Sequence, residues 1–125
     1  MADFPDRSHW QALAQQLSIP GQAFIEGRYT DAASGARFDC ISPIDGRVLG
    51  VVADCDAQDV ERAVGAARRA FDAGHWSQAS PAHRKRVLLA LAALVEKHAD
   101  ELALLETLDM GKPVRDARRI DLPGA

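Results

Sequence analysis

Apolar residues recur along the chain in blocks whose spacing changes from helical to alternating and back to helical. In the first block Trp10, Leu13, Ala14 and Leu17 follow the i, i+3, i+4, i+7 spacing of one helix face. Ser8 can cap it and Pro20-Gly21 ends it. This predicts an amphipathic opening helix. Phe24-Ile25 and Arg28-Tyr29-Thr30 then flank Glu26-Gly27, a two-residue connection suited to a tight hairpin because Gly accepts positive φ. A second hairpin is expected from about Ala36 to Ala53. Phe38, Cys40 and Ile41 precede Pro43-Ile44-Asp45-Gly46, where Pro presets φ and Gly closes a turn; Val48, Leu49, Val51 and Val52 follow with β preference.

The remainder is helical. Asp56 is a good N-cap, with Asp59 at N3, for a helix whose stripe of Val60, Ala63, Val64, Ala67 and Phe71 stops at Gly74. Ser80-Pro81 reads as N-cap and N1, where proline loses nothing because that N–H has no helical partner. From there Val87, Leu88, Leu91, Leu94 and Val95, then Leu102, Leu105 and Leu108, carry the pattern over ~30 residues, longer than a usual globular helix. A break is therefore expected near His98 to Asp100, with a second helix ending at Gly111 and Pro113. Val114 to Ala125 reads as a short basic turn of helix followed by Pro123-Gly124-Ala125. The order helix, hairpin, hairpin, helix, helix, helix is of the α+β class and contains no βαβ unit. By itself it cannot be the nucleotide-binding sheet of a doubly wound fold, and its apolar faces are expected to need such a sheet as a partner.

Composition agrees with a folded chain. The 125 residues are 47% apolar and 26% charged, enough for one domain and not for two. A formal net charge of -3 repels polyphosphate, so nucleic acid is not an expected partner. No stretch approaches the ~20 apolar residues of a membrane span, and the first residues form no secretory signal, so a cytoplasmic location is expected. Cys40 and Cys55 are the only cysteines, outside any CxxC pair or zinc spacing, and are expected to be reduced thiols.

Several strings, in order, resemble the aldehyde dehydrogenase superfamily over residues 22 to 125. They are Phe24-Ile25-Glu26-Gly27, Ser42-Pro43-Ile44-Asp45-Gly46, Val60-Glu61-Arg62-Ala63-Val64 with Ala66-Ala67-Arg68 and Ala70-Phe71, and then Trp76, Arg84 and Leu88. The block Glu106-Thr107-Leu108-Asp109-Met110-Gly111-Lys112-Pro113 closes the set. Leu102 to Asp109 and the closing Asp121-Leu122-Pro123-Gly124-Ala125 look closest to enzymes acting on γ-glutamyl-γ-aminobutyraldehyde and other ω-aminoaldehydes of polyamine breakdown. The resemblance implies that residues 1–125 are one partial domain, the front part of the α/β aldehyde dehydrogenase fold without its Rossmann-like sheet. In it, 1–21 hold the opening helix and loop, 22–54 the hairpins and 56–125 the helices. It further implies NAD or NADP as cofactor, a small aldehyde as substrate, and a homo-oligomer, dimer or tetramer, when complete.

Oxidising an aldehyde through a covalent route needs a thiolate nucleophile, oxyanion donors and a general base. In the family these are a Cys in a Gly-Gln-x-Cys setting, an Asn amide with a backbone N–H, and a Glu in a Glu-Leu-Gly-Gly setting. None of those motifs is present: Gly21-Gln22 is followed by Ala23-Phe24, and no glycine-rich loop joins a strand to a helix. No catalytic or cofactor-binding residue is assigned, and the chain is expected to be an inactive amino-terminal segment. The alternative is a stand-alone, non-catalytic module that binds a partner through its Leu-rich faces.

One site is carried over from the resemblance. Relatives hold sodium or potassium on backbone carbonyls near the second hairpin and on the Asp region before the Gly-Lys-Pro turn; the matching positions are Cys40, Ile41 and Asp109. Other features read as structural. Asp109 to Pro113 is a helix end. His83 to Arg86 and Arg115, Arg118 and Arg119 form solvated faces or ion pairs. Trp10 and Trp76 are packing anchors, and Leu88 to Leu108 is a core-facing stripe that can also serve subunit association.

Overall fold

In the computed structural model, which describes residues 4–125, helix α1 (Arg7–Gln16) begins one residue before the expected cap. Asp6, not Ser8, is its N-cap. The Asp6 carboxylate accepts the His9 amide at 2.9 Å and also the Ser8 hydroxyl at 2.7 Å, so Ser8 sits inside the first turn as a donor. Leu17 has already left the helix in an extended conformation.

The hairpins form where the alternation predicts. β1 (Ala23–Ile25) and β2 (Arg28–Thr30) pair antiparallel with Phe24 opposite Tyr29. Glu26 and Gly27 both have positive φ, 56° and 78°, which is the type I′ turn that matches strand twist. The Phe24 and Tyr29 rings meet edge-on at 5.2 Å, a cross-strand aromatic pair. β3 (Arg37–Ile41) and β4 (Val48–Ala53) form the second hairpin. Its turn closes through Gly46 N–H to Ser42 O at 2.9 Å and Ser42 N–H to Arg47 O at 2.8 Å, with Gly46 at φ 73°. Gly21 lies against β4: an added Cβ would stand 1.8 Å from Val51 O, and the Gly21 carbonyl accepts from Ala53 N–H.

Helix α2 (Ala57–Asp72) opens with a capping box of Asp56 and Asp59 and gives way to Gly74 at φ 76°. Helix α3 (Pro81–Lys97) follows the Ser80 cap, whose hydroxyl accepts the His83 amide. The expected break falls at His98 (φ -102°, ψ 19°), and α4 (Ala99–Met110) ends at Gly111 in the left-handed conformation at φ 74°. The last residues are more helical than expected. α5 (Val114–Asp116), a π-helical turn (Ala117–Asp121) and α6 (Leu122–Gly124) follow one another. Arg118 reaches Asp100 at 2.6 Å, Lys112 bonds Asp121, and the methyl of Ala117 is fully buried, so this segment is held against α4.

The residues form two compact units. One comprises 4–19, 41–49 and 91–125, and its core is Trp10, Ala99, Ala103, Leu104 and Ala117. The other comprises 20–40 and 50–90, with Ile25 and Ala32 buried and Asp59 only 1% exposed. Asp59 is the hub of that second unit. It accepts the Ala33 amide on both oxygens at 3.1 Å, the Asp56 amide at 3.4 Å and the Arg62 guanidinium at 3.0 Å. A buried carboxylate is tolerated only when its oxygens are so satisfied.

Two packing expectations fail. Leu88, Leu89, Leu91 and Leu94 of α3 are all more than half exposed, so the core-facing stripe is realised only in α4, where Leu104 is buried. Trp76 is 44% exposed and is no anchor, whereas Trp10 is buried and donates its indole N–H to Pro5 O. The reason is the same in both cases: no described element lies over those side chains.

Asp59→Ala strips acceptors from two amides at once. It is expected to lower the urea midpoint by the equivalent of about 2 to 3 kcal/mol, with Asp59→Asn losing less; denaturation followed by circular dichroism measures both. A pH dependence resides in Glu26, whose carboxylate accepts from Arg69 Nη2 at 2.7 Å. That hydrogen bond, and then the Arg69 charge, hold the Glu26 carboxyl below its ordinary range. Its folded value being the lower one, its contribution is fully present above the unfolded glutamate value of about 4.3 and is lost as pH falls through the folded value. NMR titration should place the Glu26 midpoint below that of a model glutamate, and Arg69→Gln should raise it.

Candidate functional site

The positions singled out for a cation lie on β3 and α4. Cys40 is half-buried, Ile41 is the exposed last residue of β3, and Asp109 is exposed in the last turn of α4. Within the first unit, the turn that follows Ile41 packs on the helix end that follows Asp109. An added Cβ on Gly111 would stand 3.3 Å from Pro43 Cγ and 3.8 Å from Ile44 Cγ1. The left-handed cap is therefore also a seat for the proline turn, which explains why glycine is needed there twice over. Ser42 is 2% exposed at the base of that turn and accepts the Ile44 amide. Its hydroxyl, then the Arg47 amide, hold the Asp45 carboxyl below the usual carboxylate range. Among the described residues, no group of three or more His, Cys, Asp or Glu side chains is arranged to hold a metal ion.

Lys112 extends the same corner. Its ammonium bonds Asp121 and lies 3.8 Å from Glu106, and these carboxylates, Asp121 first, hold its pKa above the ordinary lysine value. It ties the end of α4 to the π-helical turn.

Neither cysteine is in a disulfide, as expected. Cys55 is exposed, yet desolvation followed by the Asp59, Asp54 and Asp56 carboxylates pushes its thiol pKa up. The thiolate is the nucleophile, so this is the opposite of an activated cysteine. The flanking Asp54 and Asp56 make this legible in sequence; the Asp59 contribution is not, since it depends on the turn of α2.

Chain folding adds one cluster that residue patterns do not show. In the first unit a cleft of about 330 Å³ is lined by His9, His98, Asp100, Glu101 and Arg118 among others. Several of its polar side chains contact one another: Arg118 and Asp100 at 2.6 Å, His9 and Asp100 at 3.5 Å, and His98 and Glu101 at 3.2 Å. It holds no serine or cysteine beside a base, and it fastens α1 to α4. Arg115 pairs with Asp116 and Arg119 lies over the Phe4 ring at 5.0 Å, so the carboxy-terminal arginines are spent on local contacts.

The corner of turn, left-handed cap and Lys112 is built from the Ser-Pro-Ile-Asp-Gly and Gly-Lys-Pro strings, and a model of the aldehyde dehydrogenase family matches residues 29–125. The chain belongs to the aldehyde dehydrogenase family. It is 46% identical over 123 residues to an aminoacetaldehyde dehydrogenase of Pseudomonas aeruginosa, covering 98% of this chain and 25% of that protein. The indole-3-acetaldehyde dehydrogenase AldA of P. syringae, solved with NAD+ and IAA, superposes with a TM-score of 0.93 at 57% identity over 97% of this chain and 24% of that one. A γ-glutamyl-γ-aminobutyraldehyde dehydrogenase from Burkholderia cenocepacia gives 0.91 at 58% over 94% and 24%. The chain thus spans about a quarter of the length of the relatives it matches. The α+β arrangement of helices and hairpins is the amino-terminal part of the aldehyde dehydrogenase fold.

Despite its exposure, Cys55 should react with iodoacetamide more slowly than a free cysteine peptide near neutral pH. The pH midpoint of its rate should lie above the ordinary thiol value of about 8.5. Mass spectrometry of the alkylated peptides measures it; a midpoint below that of the peptide would contradict the local electrostatics.

Proposed function

We propose that this chain is the opening quarter of an enzyme that oxidises aldehydes to carboxylic acids with NAD+ or NADP+. What carries the proposal is the match to aldehyde dehydrogenases along 94 to 98% of this chain, one of them solved with NAD+. The chemistry proceeds on residues outside these 125. A cysteine thiolate adds to the carbonyl carbon to give a thiohemiacetal, the carbon gives up a hydride, and water releases the acid from the resulting thioester. The nicotinamide cofactor, when bound, supplies the hydride acceptor. The residues described here contribute scaffold: Lys112, Gly111 and the proline turn fix the end of α4, and Asp59 fixes the hairpins to α2.

Among substrates, ω-aminoaldehydes are favoured by the 58% and 46% identities to enzymes named for γ-glutamyl-γ-aminobutyraldehyde and aminoacetaldehyde. Indole-3-acetaldehyde, at 57%, is the competing class. We further propose a cytoplasmic homo-oligomer and a sodium or potassium ion on the carbonyls of Cys40 and Ile41 with Asp109. The matched positions support that ion, and oxygen donors suit a hard cation.

The 125-residue chain alone is expected to reduce neither NAD+ nor NADP+ with any aldehyde. The family-length protein is expected to do so, with kcat/KM higher for γ-glutamyl-γ-aminobutyraldehyde than for indole-3-acetaldehyde. Absorbance of the reduced nicotinamide measures both. Turnover by the short chain, or none by the long one, would overturn the assignment. Replacing sodium and potassium by choline should lower the Tm of the long protein if the cation is bound.

A further inference from the structure

Asparagine does not occur in this chain, and aspartate stands before glycine once, at Asp45-Gly46. Rearrangement of the backbone through a cyclic imide is therefore concentrated at one peptide bond, because a following residue without a side chain leaves its nitrogen free to approach the aspartate. The Gly46 nitrogen attacks Cγ of Asp45 in its carboxylic acid form. The N–Cγ bond forms, and the N–H proton leaves with the acid hydroxyl as water. Water then opens the ring on either side. Opening at Cγ restores aspartate, whereas opening at the former main-chain carbonyl carbon leaves the chain running through Cγ, an isoaspartate with one extra backbone carbon.

The closed turn opposes each of these requirements. The proton that must leave is held, since Gly46 N–H donates to Ser42 O at 2.9 Å. The carboxyl that must be protonated is kept as carboxylate by the Ser42 hydroxyl, by the Arg47 amide at 3.3 Å from Oδ1 and by the Arg47 guanidinium at 3.3 Å from Oδ2. The backbone rotation that would bring nitrogen to Cγ is restricted as well: Ser42 N–H donates to Arg47 O at 2.8 Å, and Pro43 is seated on Gly111. Solvent offers no shelter, because the Asp45 side chain is 52% exposed. Hydrogen bonds alone stand between this bond and its rearrangement.

We infer that Asp45-Gly46 is a latent modification site, silent while the turn is closed and converted to isoaspartate when the turn opens. The extra backbone carbon lies between the Asp45 Cα and the Gly46 nitrogen, so it displaces the Gly46 N–H from Ser42 O and the opening becomes one-way. The inference is independent of the aldehyde-oxidising reading.

The test ages the family-length protein in native buffer beside a synthetic peptide of residues 38–47, the span that trypsin releases from the protein. Isoaspartate at position 45 is separated chromatographically and located by electron-transfer fragmentation. It should accumulate at least about tenfold more slowly in the protein than in the peptide. Ser42→Ala removes the hydroxyl from the Asp45 carboxylate and from the Ile44 amide. It should raise the rate in the protein at least about threefold and leave the rate in the peptide unchanged. Equal rates in parent protein and peptide overturn the inference, and so does a Ser42→Ala protein that ages no faster than its parent. Should that variant fail to fold, sub-denaturing urea gives the answer in the parent protein. Hydrogen exchange of the segment spanning the turn, read by mass spectrometry, and isoaspartate formation should rise by the same factor. Isoaspartate that rises without exchange, or exchange without isoaspartate, overturns the inference.

Discussion

A carboxylate cannot be buried without donors, and Asp59 decides the arrangement of everything around it. Its oxygens accept two backbone amides and a guanidinium, joining the loop after β2 to the first turn of α2. The Ala33 amide is the donor from outside the helix, so this contact ties the first turn of α2 to the loop after β2. Arg69, three turns on, repeats the constraint through Glu26. The apolar stripe of α2 is turned away from the hairpin as a result, and electrostatics rather than hydrophobic burial sets the geometry of this unit.

The other unit relies on small residues. Ala99, Ala103 and Ala117 are buried almost completely beside Leu104 and Trp10, which brings the π-helical turn and α1 close against α4. Close approach of this kind replaces the large side chains that a deeper core would use. Gly111 adds a second economy, serving as left-handed cap and as seat for Pro43. Lys112 then fastens the outgoing chain to Asp121 and Glu106. The Ser-Pro-Ile-Asp-Gly and Gly-Lys-Pro strings are thus joints of this unit, and they act by fixing the direction in which the chain leaves α4.

Aldehyde oxidation asks for an activated thiolate, and the physical setting of Cys55 works against one. In the cleft of the first unit, Arg118 is likewise engaged by Asp100.

Much of this was legible without coordinates. Glu26-Gly27 signals a tight hairpin because Gly accepts positive φ, whereas the positive φ of Glu26, which makes the turn type I′, is seen only in the structure. Pro43 to Gly46, Asp56 with Asp59, Ser80-Pro81, the break at His98 and the cap at Gly111 are local solutions to local hydrogen-bond problems, so their signals are local as well. The α+β class and the family follow from their order. The cap at Asp6 was missed because Ser8 is itself a common cap residue, and only in the structure does its hydroxyl donate to Asp6 while Asp6 accepts the His9 amide. Tertiary structure alone decided the rest. Periodicity showed that α2 and α3 have apolar stripes but not that Val64, Phe71 and Leu91 stand uncovered, since burial depends on which elements arrive over a face. In the same way, a run of Asp, Glu and Arg gives no partners until the chain is folded. That Asp59 finds Ala33, and Arg118 finds Asp100, depends on residues 26 and 18 positions apart.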